Sequence, residues 1–337
     1  MTPATTPASD SPEPADPRAA ARLDWARRVS AGPVEDLHRA SADAGFRSYW
    51  RGVAEGIVMD SPPALEDVRP WLEMHAVLEA GGVRVPRILA RDAAAGFLLL
   101  EDLGPSTCLQ VADAGNVDAM VDAAIGQLLR LQAITCPPEL PAYDRALLQR
   151  ELRLFDDWFL QRHLGVALDA GEREALAGVE SLLVEAALAQ PQVLVHRDFM
   201  LRNLMPVADG PAVLDFQDAV RGPIAYDVLS LCKDAFASWP GEQVERWRAH
   251  YRERAAAAGL PVPDAARFAR DFDLIGVQRH LKVLGIFARL RHRDGKPRYL
   301  ADAPRFIGYL DEVLPRYPEL SPLRALVDRH ARDLPTG

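Results

Sequence analysis

The stretch from Val193 to Asp227 constrains this chain more than any other. It opens with the apolar run Val193-Leu194-Val195 and continues at once into His196-Arg197-Asp198, with Asn203 following five residues after Asp198. Next come Leu204-Met205-Pro206-Val207, then Asp209-Gly210, then Ala212-Val213-Leu214-Asp215. Asp-Gly between apolar runs is a strong signal for a two-residue hairpin turn. With that turn Ala208 faces Pro211, Pro206 faces Val213 and Leu204 faces Asp215. The register therefore predicts an amide oxygen (Asn203) and a carboxylate (Asp215) at one end of a hairpin, with Asp198 a few residues upstream.

Two hard oxygen donors so placed suit Mg²⁺, which keeps several waters and takes few protein ligands beside nucleotide phosphates. A further carboxylate nearby can orient a hydroxyl or receive its proton. Phosphoryl transfer needs these parts and little covalent chemistry from the protein. The spacing H-R-D-x-x-x-x-N followed by D-F is that of a kinase catalytic loop and metal-binding segment. Here it reads His196-Arg197-Asp198-Phe199-Met200-Leu201-Arg202-Asn203, then Asp215-Phe216-Gln217. Singly, each polar residue would be read as a turn cap. The joint spacing, the preceding strand and the Asp-Gly signal favour the catalytic reading.

A chain of 337 residues is long enough for about two domains. Residues 1–20, rich in Pro, Ala and Thr and without the apolar core of a signal peptide, are expected to be a disordered tail. From Leu23 to about Ala40 the pattern is helical, interrupted at Gly32-Pro33. Phe46–Val53 and Ile57–Met59 read as a hairpin, 65–80 as a helix stopped by Gly81-Gly82, and 83–90 and 96–101 as strands. Helices are expected near 116–133, 144–164 and 171–189, short strands at 193–195 and 212–214, and helices again to the end. The fold class is thus α+β, with a small β-rich lobe over 21–102 and a larger, mostly helical lobe over 103–337. Thirty-nine basic against 48 acidic residues give a formal charge of −9, which argues against nucleic acid as the main partner. Three scattered cysteines, with no CxxC pair, argue for a reducing cytoplasm. No apolar run approaches a membrane span, and a small molecule remains as the expected partner.

At this point the sequence resembles the aminoglycoside phosphotransferase family of small-molecule kinases, and within it the branch acting on amino sugars. The stretches that carry the resemblance are VMDSPP (58–63), GFLLLEDLG (96–104), ELRLFDDWFLQRHLG (151–165), HRDFMLRNLM (196–205), LDFQDAVRGPIAYDVLSLCKDAF (214–236) and RHLKVLGIFARL (279–290). The resemblance implies a protein-kinase-like bilobal fold, ATP and Mg²⁺ as cofactors, and transfer to the anomeric C1 hydroxyl of N-acetylmuramate or N-acetylglucosamine in cell-wall recycling. It implies Asp198 as the group acting on the acceptor hydroxyl, and Asn203 and Asp215 as metal ligands. Glu101, Asp102 and Leu103 would meet adenine through their backbone. His196 and Asp227 would be structural, Asp227 anchoring the catalytic loop; an N-cap before Val228 is the competing role for that residue.

The sequence also departs from the family pattern. A Gly-rich phosphate loop is missing, with only Ala44-Gly45 in its place, and no lysine occurs before Lys233. Arg47 and Arg51, on one face of the strand 46–53, are the candidates for the phosphates, against the simpler reading of a solvated strand face. On a helix through 274–293, Arg279, Lys282, Arg289 and Arg293 fall opposite Val277, Leu281, Leu284 and Ala288. Such a stripe is either solvated or borders the acceptor, where it would favour a carboxylate-bearing sugar. Glu151 and Trp158 suit a sugar's hydroxyls and apolar face, although packing is the simpler role for Trp158. Arg202 and Gln217 complete the candidate substrate contacts. The rival readings are a kinase for an aminoglycoside or choline-like alcohol, which an acceptor panel separates, and a non-catalytic nucleotide-binding module, against which the presence of Asp198, Asn203 and Asp215 together argues.

Overall fold

The structure, a computed structural model, describes residues 16–41, 46–54 and 56–332. The chain divides into two compact units: residues up to 69 with 86–102, and residues 70–85 with everything from Leu103 onward.

The first unit contains helix α1 (Ala19–Val29) and strands β1 (His38–Ser41), β2 (Ser48–Val53), β3 (Gly56–Asp60), β4 (Ile88–Asp92) and β5 (Phe97–Glu101). They form an antiparallel sheet of order β1-β2-β3-β5-β4. The expected hairpin is present as β2–β3, with Tyr49 opposite Met59 and Trp50 opposite Val58. Trp25 of α1 stacks on Phe97 of β5, ring centroids 5.5 Å apart, over a core that includes Val34, Leu37, Val53, Val58 and Leu99. Residues 38–41 form an edge strand where a continued helix was expected. The three-residue spacing of Val34 and Leu37 mimics a helix face, but Gly32-Pro33 ends the helix and pairing of His38 with Arg51 takes the segment into the sheet.

Residues 16–20, read from composition as part of a tail, belong to the fold; residues 1–15 lie outside the described residues. The cause is Asp60, only 1% exposed. Its carboxylate accepts from Arg18 Nε at 2.8 Å and Arg22 Nη1 at 2.9 Å. A buried carboxylate requires such partners, and Arg18 at the N-cap of α1 and Arg22 in its first turns supply them.

The second unit is mostly helical. It contains α2 (Arg69–Ala80, whose first residue belongs to the first unit), α3 (Cys108–Val111), α4 (Val117–Ala133), α5 (Arg145–Leu154), a π-helical stretch Phe155–His163 and α6 (Ala170–Leu188). Strands β6 (Gln192–Val195), β7 (Leu204–Met205), β8 (Ala212–Val213) and β9 (Val220–Pro223) follow, then α7 (Ala225–Cys232), α8 (Gly241–Ala257), α9 (Ala265–His292), α10 (Ala303–Val313) and α11 (Ser321–His330). Sequence signals place several starts: Asp144 caps α5 through Leu147 N–H, Asp264 caps α9 through Arg267 N–H, and Asp169 with Glu172 forms a capping box on α6. The expected 83–90 strand forms only from Ile88; ahead of it, Arg84 C=O accepts the Val213 N–H at 2.7 Å.

Helix α9 is the axis of this unit and is buried along most of its length from Phe268 to Ala288. At Gly285 a Cβ would sit 2.3 Å from the Leu154 carbonyl carbon, so only glycine lets α9 approach the end of α5 this closely. No helix among the described residues is long and apolar enough to cross a membrane. Cys108, Cys136 and Cys232 form no disulfide.

Candidate active site

Strand β6 is buried from Val193 to Val195 and pairs with β9, Val195 opposite Val220, which fixes where the next residues emerge. Asp227 accepts the His196 N–H at 2.7 Å and the Arg197 N–H at 3.0 Å, one on each carboxylate oxygen. It lies in the first turn of α7, not at its N-cap, which is Ile224. Burial pushes its carboxyl up to about 6, against the opposing effects of His196 and the two backbone donors. Asp227→Ala leaves two buried N–H groups without an acceptor and is expected to destabilise the fold by about 3 kcal/mol. Asp227→Asn, which keeps one acceptor, should lose about half as much. Denaturant unfolding measures both, and an unchanged midpoint for Asp227→Ala would remove Asp227 as the anchor.

Two hydrogen bonds tie the loop carrying Asp198 to the segment carrying Asp215, and two more hold the loop itself. His196 Nε2 donates to Leu214 C=O at 2.8 Å, while its Nδ1 accepts the Asp198 N–H at 3.3 Å, which selects the Nε2–H tautomer. Leu214 N–H donates to Asn203 C=O at 2.9 Å. Asn203 Nδ2 donates to Asp198 C=O at 2.9 Å, directing the amide oxygen away from that carbonyl. Among the described residues the only non-glycine positive φ values are at Arg197 (77°) and Asp215 (63°). Left-handed backbone is tolerable for Asp and uncommon for Arg, so surrounding contacts must hold both. Behind Asp215, Phe216 is buried against Trp71 and His75 of α2, its ring centroid 5.0 Å from that of Trp71.

The hairpin register differs from the expected one. Leu204 pairs with Val213 and Met205 with Ala212, so the connection spans 206–211 and Asp209-Gly210 is not a two-residue turn. A tight turn there would need an N–H from Pro211 to close it and another from Pro206 on the ladder; neither proline has one. The juxtaposition of Asn203 and Asp215 survives through the Leu214–Asn203 hydrogen bond.

The outlying candidates fall into separate places. Gln217 Nε2 donates to Asp215 Oδ1 at 2.9 Å, and the Arg202 guanidinium lies 4.4 Å from the centre of the Phe236 ring. Trp158 is half-buried on the π-helical stretch. The cationic stripe on α9 is neither solvated nor open at Arg279 and Lys282, which are 2% and 7% exposed; the helix emerges only beyond Ala288. Lys282 Nζ pairs with the buried Glu151 at 2.9 Å and donates to Tyr226 Oη at 3.0 Å. Glu151 and Lys282 are therefore internal partners rather than exposed acceptor contacts. In the first unit, Arg51 forms a two-pronged pair with Asp102 (2.9 Å each), Arg47 pairs with Glu66 at 3.4 Å, and Glu101 pairs with Arg87 at 3.3 Å. Leu103 is half-buried. Ala44-Gly45, the alternative phosphate holder, lies outside the described residues.

A family model described as a phosphotransferase enzyme family matches residues 36–269. The chain belongs to this phosphotransferase family. Two bacterial proteins named N-acetylmuramate/N-acetylglucosamine kinase are similar to it: one from Pseudomonas aeruginosa at 50% identity and one from Pseudomonas putida at 49%, each alignment covering 88% of both chains. Among solved structures, an ADP-bound aminoglycoside phosphotransferase shares the protein-kinase-like fold, with a TM-score of 0.60, 13% identity, and coverage of 86% of this chain and 97% of the other.

Two supports of this phosphotransferase's catalytic loop escape sequence reading. Asp234 accepts the Leu201 N–H at 3.3 Å and the Phe236 N–H at 2.7 Å, and burial raises its pKa. Its signal was an acid two residues past an apolar helix. Tyr143, which donates to Glu151, follows Ala142 in a loop and carried no signal.

Proposed function

We propose that this phosphotransferase moves the γ-phosphoryl group of ATP to the C1 hydroxyl of N-acetylmuramate and N-acetylglucosamine, in the cytoplasm and in the service of cell-wall sugar recycling. The observation that carries the chemistry is the hydrogen-bonded assembly of Asp198, Asn203 and Asp215 on two loops joined through Leu214. The acceptor class is supported by the near-50% identity to the two Pseudomonas kinases. Three unpaired cysteines agree with a reducing compartment.

Asp198 orients the C1 hydroxyl and takes its proton as the oxygen attacks phosphorus. Its carboxylate forms no hydrogen bond with any described residue, which leaves it available for that contact. Asn203 Oδ1 and the Asp215 carboxylate would hold Mg²⁺. The donor set fits: one carboxylate with one amide oxygen, brought together by the Leu214–Asn203 hydrogen bond, suits an ion that keeps its waters and phosphate ligands. The ion, when bound, supplies charge neutralisation to the phosphates. Gln217 holds one oxygen of Asp215 in place. Arg202, with its face on Phe236, and Trp158 are the proposed sugar contacts. The backbone of 101–103 is the proposed adenine contact, and Arg47 or Arg51 the proposed phosphate contact, each exchanging its present carboxylate partner for the nucleotide.

The purified protein with MgATP should release ADP on addition of either sugar and not with an aminoglycoside or choline. The phosphorus resonance of the product should couple to the anomeric proton. Phosphate on C6, or turnover confined to the other acceptors, overturns the assignment.

A further inference from the structure

The Asp198 carboxylate forms no hydrogen bond or ion pair with any described residue, although the charges of Arg197 and Lys282 act on it, so its placement depends on the backbone that carries it. Its direction follows from the backbone of the residue before it. That residue, Arg197, holds a left-handed φ of 77° that an arginine does not adopt without restraint. Its N–H is fixed by Asp227, and its guanidinium donates through Nη2 to Glu151 Oε1.

Glu151 is the junction. It is 5% exposed, and it also receives Tyr143 Oη, Gln278 Nε2 at 3.3 Å and Lys282 Nζ at 2.9 Å. Burial alone would raise its pKa, but Lys282 and Arg197 outweigh burial and hold it below the ordinary value, so it remains a carboxylate. Lys282 lies beside the packed rings of Tyr143 and Tyr226, its Nζ 5.9 and 5.6 Å from their centres. Such a buried cluster of opposite charges is costly to assemble, and replacing a pair by apolar groups is often harmless to stability. A fold needing only packing here has cheaper solutions.

We infer that Glu151 and Lys282 are positioning residues for phosphoryl transfer: they clamp the Arg197 guanidinium and thereby hold Asp198 on the acceptor hydroxyl. Glu151 is the anchor, Lys282 fixes its charge and orientation, and neither touches the substrate. This rests on Asp198 acting on the acceptor.

The test is a set of variants: Arg197→Met, which keeps the Glu151–Lys282 pair; Glu151→Gln with Lys282→Met, which leaves the one-fifth exposed Arg197 as the cation without its carboxylate; and all three together, which removes every charge of the cluster. Folding is followed by circular dichroism, and kcat and both KM values by ADP release. The Glu151→Gln/Lys282→Met protein should fold and keep both KM values within about twofold, while kcat drops about tenfold or more from misplacement of Asp198. Arg197→Met should lose a similar factor, and the triple variant should lose no more than Arg197→Met alone, as residues acting through one group must. Lys282→Arg, which keeps the cation, should stay near the parent. Tyr143→Phe removes one hydroxyl only and should lower kcat severalfold with KM values unchanged, which serves if the double variant does not fold. An unchanged kcat in folded Arg197→Met, Glu151→Gln/Lys282→Met or Tyr143→Phe, losses that multiply in the triple variant, or a raised sugar KM at constant kcat overturns the inference. The cycle is read with whichever acceptor the parent phosphorylates, so a wrong sugar assignment fails separately from a wrong clamp.

Discussion

Asp198→Asn is expected to lower kcat by about 10²- to 10⁴-fold, the range for a lost general base, with MgATP binding unchanged. The substitution is nearly isosteric and spares both backbone contacts of the residue, the N–H on His196 Nδ1 and the C=O under Asn203 Nδ2. The loop should therefore keep its shape, and the loss isolates the chemistry of the carboxylate. Calorimetric titration with MgATP and steady-state ADP release read the two quantities independently. A parallel loss of nucleotide affinity would make Asp198 a metal or phosphate ligand and overturn its role toward the acceptor.

Asp215→Asn is expected to show the reverse signature: MgATP affinity reduced by about ten- to a hundredfold, the scale of changes to a metal's ligand shell. Asparagine tolerates the left-handed conformation of residue 215, and its amide oxygen can still accept from Gln217, so the difference is the missing charge. The Mg²⁺ concentration for half-maximal rate should rise with it, and added Mg²⁺ should recover part of the activity. An unchanged Mg²⁺ dependence would exclude Asp215 as a ligand.

Much of this site was legible because its parts are local. Asp198 and Asn203 share one loop, and Val193-Leu194-Val195 announces the strand that feeds it. The β2–β3 hairpin and the helices α5 and α6 were legible for the same reason, because pattern and turn chemistry are written in adjacent residues, whereas the start of α9 at Ala265 was not read. Errors arose where the deciding partner lies far along the chain. Nothing near Arg18 shows that Asp60 will be buried against it. Periodicity on α9 separated an apolar from a cationic face, but it could not show that the cationic face would be covered at Arg279 and Lys282, with Lys282 neutralised from α5 by Glu151. The hairpin register was a different failure. Pro206 and Pro211 were in plain view, and their missing N–H groups already argued against the tight turn.

The clamp on Arg197 also bears on when the molecule becomes competent. Its parts are scattered: His196 and Asp227 are 31 residues apart, Arg197 and Glu151 46, and Gln278 and Glu151 127. Contacts of such long sequence separation form only after large loops have closed. A chain still emerging from the ribosome, with α9 not yet made, holds every residue of the catalytic loop but neither Lys282 nor Gln278 to complete its support. Competence for phosphoryl transfer is thereby tied to near-completion of synthesis, and truncated chains ending before α9 carry the motif without the machine.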